Sequence, residues 1–256
     1  MEVPPERLVS WIVTFTERHG GPLAISYAEP AADRGSVTFK AADGAVAVTF
    51  TAADGAAAEC HVPFPPLRAP LPSPPSRADP GEPGATGPDA LAAAGAIAAH
   101  ATADRTVGVL LVRLGGYAVG VFSGVPPRLG ASKTGRRLVH SRSAAGGWSQ
   151  HRFARRRENQ AAAALGAAAD AAAGIFGPYR ADGLDAVILG GDKRSMAGLR
   201  DDARLAPYLS RATDRFLTVP DPSPAVLRGI PSAYLAIRIR LTELEPDSLP
   251  GAGHVQ

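Results

Sequence analysis

The sequence predicts an α/β protein in which a mixed sheet with flanking helices is preceded by a small β-rich N-terminal region. Three observations predict it. Residues 1–64 carry alternating apolar runs separated by D-G turns, the pattern of antiparallel hairpins. Residues 65–88 are dominated by proline and glycine, which suits a linker or long loop. Beyond them, alanine-rich helical runs alternate with short apolar strands, the order expected of a mixed α/β layer.

Taken in order, VSWIVTFTERHGG, SVTFKAADG, AVAVTFTAADG and AAECHVPF read as strand-like runs, and the two A-A-D-G repeats read as hairpin turns. After the 65–88 segment, Asp89 is placed to cap a helix, ALAAAGAIAAHA. VGVLLVRL and YAVGVF follow as two apolar strands joined at Gly115-Gly116, a natural tight hairpin. RRLVHSR reads as a third strand, SAAGGWSQ as a loop of small residues, and roughly 151–176 as a long alanine-rich helix. LDAVILGG is a buried-type strand, followed by a polar turn DKRS and a helix near 195–203. FLTVP, a short helix AVLRGI and a last strand AYLAIRIRL complete the pattern. The expected division is therefore a β-rich region at 1–64, a linker at 65–88, a main domain at 89–244 and a frayed tail at 245–256.

Composition narrows the function. With 45% hydrophobic and 20% charged residues, the 256-residue chain has the make-up of a globular protein with one large or two small cores. No run approaches the roughly 18 consecutive apolar residues of a membrane span, and the acids and prolines of MEVPPERLVSWIVTF give no basic lead into an apolar stretch. A cytoplasmic protein with no membrane partner is expected. Cys60 is the single cysteine, and its neighbour His61 would point to the opposite face of a strand, so a half-buried structural thiol is expected. The six histidines show neither H-x-E nor H-E-x-x-H spacing, so no metal and no other cofactor is expected. Gly190-Gly191-Asp192-Lys193 lacks the G-x-x-x-x-G-K-S/T spacing, which argues against nucleotide binding, and Asp201 with Asp202 reads as a solvated face.

Charge gives the sharpest signal. A formal net charge of +3 hides a segment from Arg105 to Arg157 that holds eleven basic residues and no Asp or Glu. The remainder holds 16 basic and 24 acidic residues, a formal charge of −8. An acid-free basic block in an otherwise acidic chain is the electrostatic footprint of a polyanion partner. Within it, RSAAGGWSQHRFARRR (142–157) places five small residues, Ser143 to Gly147, between two cationic arms. Lys133, Arg136, Arg137 and Arg142 precede the loop, and Arg152, Arg155, Arg156 and Arg157 follow it. Arg152, Arg155 and Arg156 stand at i, i+3 and i+4, one side of a helix, whose start adds its dipole and free N–H groups. A phosphate backbone passing the loop would meet cations from both sides.

Gln150 ends this loop with an amide that both donates and accepts. A neutral amide suits a reaction whose substrate is intrinsically reactive, such as the ester at a tRNA end, where the protein places a water and excludes other nucleophiles. Trp148 could stack on a base or anchor the loop on its own domain. Ser149 reads as a helix cap, and His151 as a phosphate contact or proton shuttle.

These residues resemble the VLRF release-factor family: the ankyrin-repeat, zinc-finger peptidyl-tRNA hydrolases of eukaryotic ribosome quality control and their single-domain bacterial relatives of actinobacterial type. The family is distantly similar to the middle domain of the eukaryotic and archaeal release factor. The resemblance covers about residues 105–241 and rests on the VGVLLVRLGGYAVGVF hairpin, SKTGRRLVHSR, the Gly147-Trp148-Ser149-Gln150 form of the family's G-x-x-Q signature, LDAVILGGDKRSM and the closing strand. It implies a release-factor-like catalytic domain with Gln150 as the essential glutamine and Gly147 as the flexible residue of the signature. Gly146 makes the loop G-G-x-x-Q, close to the G-G-Q of release factors. It further implies ester hydrolysis at the CCA end of tRNA on stalled large ribosomal subunits, with no DNA partner. The sequence departs from the eukaryotic relatives in following Arg137 by Leu138 rather than tyrosine and in lacking ankyrin and zinc-finger modules. Two other readings use the same residues: a ribosome- or RNA-binding protein without turnover, and a ribonuclease acting at the CCA end.

Overall fold

Leu8, Ile12 and Phe15 are buried at spacings of four and three residues, and that period decides the first element. In the computed structural model, which describes residues 1–28, 46–67, 87–113, 116–136 and 149–243 (backbone alone for 149–159 and 161), VSWIVTF lies in a helix. This helix, α1 (Leu8–His19), replaces the strand expected there. Its β-branched residues favour a strand intrinsically, but placing Leu8, Ile12 and Phe15 in one apolar cluster overrides a propensity worth only tenths of a kcal/mol per residue. Gly20, at φ +81°, ends the helix by donating its N–H to the Thr16 carbonyl at 2.8 Å.

The chain forms two compact units. The first comprises Met1–Thr102 with Leu235–Gln256. Its antiparallel sheet has the order β1 (Glu2–Val3), β10 (Ile237–Thr242), β4 (Ala57–His61), β3 (Ala47–Thr51), β2 (Ala24–Ala28). Strand alternation turns Ile25, Val48, Phe50, Ala58, Cys60, Ile237 and Ile239 to one side, where α1 and α2 (Pro88–Thr102) cover them. The second A-A-D-G repeat forms the β3–β4 hairpin turn: Gly55 has φ +87°, and the Asp54 carboxylate accepts the Ala56 N–H at 2.9 Å. The same carboxylate meets His19 Nδ1 at 2.9 Å, and these contacts hold Asp54 below the usual carboxylate range, the Ala56 N–H contributing most. The first repeat lies outside the described residues. Cys60 is fully buried, more deeply than the half-burial expected on a strand; burial pushes its thiol up to about 12, while His61 on the opposite face reaches Glu59 at 3.3 Å.

This unit divides the chain differently from the expected boundaries. Helix α2, grouped with the main domain by the sequence pattern, places Ala90, Ala93, Ala94, Ile97 and Ala101 in one cluster with Leu8 and Phe50. The helix begins at Pro88, so Asp89 lies inside the first turn rather than at the cap. The closing strand begins at Ile237 rather than Ala233, and it pairs with β4 and β1. Of the expected linker, residues 68–86 lie outside the described residues, as does the expected tail.

The second unit, Ala103–Tyr234, is the mixed sheet. Its order is β7 (Arg128–Arg136), β6 (Gly116–Ser123), β5 (Val107–Arg113), β8 (Ala186–Gly191), β9 (Ala212–Leu217). The first two pairings are antiparallel and the last two parallel. One face carries Leu110, Val112, Val119, Val121, Val187 and Leu189 against the C-terminal part of α3 (Ser149–Phe176). The other face carries Phe122, whose ring meets Tyr234 of α6 (Pro224–Leu235), the helix after the single turn α5 (Ala206–Leu209), edge-on with centroids 6.2 Å apart. Arg113 pairs with Gly116, so the β5–β6 connection is residues 114–115 and Gly116 is already strand; 114–115 lie outside the described residues. The third strand of the sheet is RLGASKTGR rather than RRLVHSR, of which only Arg136 falls within the described residues. After β8, Asp192 caps α4 (Lys193–Ala197), accepting from the Arg194 and Ser195 N–H groups at 3.1 and 3.3 Å; the helix expected near 195–203 is this shorter one. No described helix is long and apolar enough to cross a membrane.

Gly166 and Gly174 interrupt α3 on its exposed side, and a Cβ at either would meet no atom within 4 Å. Replacing either with alanine is expected to stabilise the second unit by about 0.5–1 kcal/mol, through lower backbone entropy in the unfolded chain. A thermal melt should show a rise of a few degrees for each. A fall would mean that these positions are not ordinary exposed helix.

Candidate nucleic-acid interface

The strand directions place Arg136, and with it the entry to the expected loop, at one end of the second sheet. Because β6 runs against both β5 and β7, the C-terminal ends of β5, β7, β8 and β9 lie together. This is the end at which open α/β sheets form their ligand crevices. The chain leaves β7 there at Arg136 and enters the segment holding the G-x-x-Q signature. Arg137, Arg142, Gly146, Gly147 and Trp148 lie outside the described residues.

Helix α3 brings the chain back. Phe176, at its C-terminus, packs beside Gly108 near the start of β5, with ring carbons 3.1 and 3.3 Å from where a Gly108 Cβ would stand. Leu165, three turns earlier, packs against Gly198, which follows α4 at the opposite end of the sheet. The helix therefore runs toward the end where β5 and β8 stop. Burial follows the same course: Ala168, Ala169, Ala171, Ala172 and Phe176 are buried, and no described residue of α3 before Ala168 is. Arg204 ties the anchored part down, reaching Asp170 at 2.8 Å and Asp202 at 2.7 Å. Gln150 is the second residue of α3, fifteen positions before Leu165, so the helix carries its backbone about 22 Å beyond that contact. Positions 152, 155, 156 and 157 fall on this N-terminal part, with 152, 155 and 156 on one side of the helix. The side chains of Gln150, Arg152, Arg155, Arg156 and Arg157 lie outside the description.

Two members of the first cationic arm are described, and they do not share a face. Lys133 pairs with Val119 and Arg136 with Gly116, and residues directly opposite in a ladder point to the same side. Lys133 therefore lies on the α3 face with Val119, and Arg136 lies on the α6 face. Both are exposed on an edge strand with no acidic residue. Between them, Gly135 leaves room for the Tyr117 ring, whose atoms lie 2.5–2.6 Å from where a Cβ would stand. Alanine at Gly135 would displace that ring.

Arg113 is a cation that sequence reasoning counted in the basic block but left out of the site. It pairs with Gly116, which in turn pairs with Arg136, so Arg113, Gly116 and Arg136 form one cross-strand row. The two arginines flank a glycine on the same face, their Cα atoms about 10 Å apart across two strand spacings. Arg113 donates through Nη1 to the Val219 carbonyl at 2.9 Å, and its Nε stands 3.7 Å from the Asp221 carboxylate. The available signal was a two-residue connection between the strands, but a turn at Gly115-Gly116 sets 114 opposite 117, and the observed pairing lies one position earlier. Among the described residues, no three His, Cys, Asp or Glu side chains gather as a metal-ligand set.

Comparison with curated proteins gives no match. The family described as Actinobacteria/chloroflexi VLRF1 release factor matches residues 105–240, just over half of the chain. The match takes in nearly all of the second unit and runs on into β10, as the resemblance in the sequence implies. The chain belongs to the actinobacterial and chloroflexi VLRF1 release-factor family, and with it to the release factors of translation.

Proposed function

We propose that this chain is a peptidyl-tRNA hydrolase that frees nascent chains from tRNA on stalled large ribosomal subunits, with Gln150 at the reacting ester. The observation that carries the reading is the place of Gly147-x-x-Gln150 within the matched family segment, with Gln150 the second residue of a helix whose buried residues, among those described, all lie in its C-terminal part. The acid-free run from Arg105 to Arg157 supplies the phosphate contacts. Lys133 from the α3 face and Arg136 from the α6 face, together with Arg137 and Arg142, contact the tRNA before the loop in sequence, and Arg152, Arg155, Arg156 and Arg157 contact it after the loop. Trp148 stacks on a base or ribose of the CCA end.

In the reaction, the Gln150 amide orients a water toward the ester carbonyl. Backbone N–H groups of the loop and of the helix start stabilise the oxyanion of the tetrahedral intermediate. The bond between the acyl carbon and the ribose oxygen then breaks. The leaving ribose oxygen receives one proton from the attacking water, relayed through the vicinal hydroxyl, and the peptide leaves as its carboxylate while the second proton passes to solvent. Gly146 and Gly147 give the loop the backbone freedom to bring Gln150 to the ester.

The test is a release assay on stalled large-subunit complexes, with the peptide and the tRNA product both weighed. Free peptide with an intact CCA end is expected. A trimmed CCA end would make the chain a nuclease, and tight binding without either product would make it a binding protein. The docking part has its own measurement: with Arg155, Arg156 and Arg157 all changed to alanine, the log–log salt dependence of tRNA affinity should flatten by up to about 0.9 for each phosphate that is no longer neutralised. An unchanged slope removes the arginine arm from docking.

A further inference from the structure

The Arg113–Gly116–Arg136 row has a chemistry that its strand-pairing role does not use. We propose that Arg113 and Arg136 form a phosphate-binding pair for the RNA backbone at the root of the G-x-x-Q segment, with Asp221 as a resident counter-charge that the phosphate displaces. This inference rests on the RNA-docking reading and adds to it a second site, on the α6 face of the sheet.

The pair is preorganised by the sheet. Two consecutive antiparallel pairings fix both backbones in one row and send both side chains to the same side. Gly116 between them contributes no side chain, and Pro222 fills that space, its Cδ 3.6 Å from where a Gly116 Cβ would stand. The Arg136 stem lies beside the same point at 3.9 Å. The charged ends are left at the rim: the Arg113 side chain is 40% exposed, and Arg136 is exposed. The Val219 carbonyl holds Arg113 at 2.9 Å through one nitrogen, which orients the guanidinium fork and leaves its other donors for a bidentate acceptor.

Asp221 is poorly placed to satisfy those donors. It stands 3.7 Å from Nε, beyond hydrogen-bond reach, and its own side chain is 71% exposed. A pair of this kind contributes little to folding. A phosphate oxygen in the same position would gain a charge-assisted bond to Arg113 and a second to Arg136. The strands around the row, β5, β6 and β7, carry no acidic residue, so they set no further carboxylate against a phosphate. Arg136 is directly followed by the 137–148 segment, so a phosphate held by this pair fixes the backbone next to the loop that ends in Gln150.

The experiment measures affinity of the full-length chain for deacylated tRNA across a potassium chloride series. The proteins are wild type, Arg113→Ala, Asp221→Asn, Asp182→Asn and the triple variant of Arg155, Arg156 and Arg157. Asp182, paired with Arg180 at 3.4 Å and following Phe176, is an exposed carboxylate at the other end of the sheet. Asp221→Asn should bind on the order of three-fold tighter at ~0.1 M salt, the effect of removing one competing surface charge. Asp182→Asn should bind as wild type does, and Arg113→Ala should lose close to one unit of log–log slope. Because Asp221→Asn changes only an exposed carboxylate, it tests the site even where Arg113→Ala weakens the hold on Val219. The proposal is overturned if Asp221→Asn gives no gain, or if Asp182→Asn gives an equal one, while the triple variant still flattens the slope; RNA docking by the helix would then stand without this site. A wild type that shows no salt-dependent binding overturns both.

Discussion

Gln150→Ala is expected to lower single-turnover peptide release by about 10²- to 10³-fold while leaving affinity for tRNA near that of wild type. The size follows from the role proposed. Removing one preorganised polar group that acts in the transition state costs about 3–4 kcal/mol in comparable acyl transfers. Binding is spared because the amide carries no charge, and the phosphate contacts come from the arginines on either side. Folding is spared too. Gln150 is the second residue of α3, some eighteen positions before the first buried alanine, and alanine is the better helix former. Loss of release with unchanged binding and melting would place Gln150 in the reaction. Equal loss of rate and affinity would make it a docking residue, and unchanged release would remove it from the mechanism. Gln150→Glu sharpens the distinction: it keeps the shape of the side chain but replaces both amide donors with acceptors. It should fall at least as far as alanine if an amide N–H donor is needed to hold the attacking water.

Much of this arrangement was legible in the residues, and the failures share one cause. The VGVLLVRL and YAVGVF strands, the long alanine-rich helix and the LDAVILGG strand were readable because their apolar runs are unbroken or their composition is one-sided. VSWIVTF was misread because its β-branched residues signal a strand locally, whereas the helix is selected by which side chains reach the core. The unit to which α2 and the closing strand belong is fixed by packing between residues tens of positions apart for α2 and more than 170 apart for the closing strand, which no local pattern encodes. The same holds at the candidate site. The charge block and the G-x-x-Q pattern are contiguous and could be read directly. The opposite orientations of Lys133 and Arg136, and the row that joins Arg113 to Arg136, depend on strand register, because a shift of one residue reverses every face.

Gly191→Ala should be the most destabilising single-methyl addition in the second unit, by roughly 3 kcal/mol or more. Gly191 has φ +107°, a conformation that L side chains rarely adopt, so alanine is strained there before any contact is considered. Its Cβ would collide with the backbone of Val112, with the carbonyl oxygen closest, the carbonyl carbon at 2.8 Å and the nitrogen at 3.0 Å. None of these atoms is the end of a flexible side chain. Val112 lies in the central strand β5, opposite Gly191 in the parallel ladder, and its carbonyl accepts the Asp192 N–H at 2.8 Å. Relief of the clash must therefore part β5 from β8 or turn Asp192 away from the cap of α4, and either change opens the core beneath α3. Hydrogen exchange at the β5 and β8 amides would report the loss within this unit alone, whereas a global melt combines two units. A protected ladder in Gly191→Ala would mean that the sheet end can relax and that its geometry is not fixed by this glycine. Set beside Gly166→Ala, where the same added methyl group meets open space, the expected effects have opposite signs. Set beside Gln150→Ala, they separate on different axes: one variant loses protection, and with it every function of the fold, while the other loses release from a fold that stays intact.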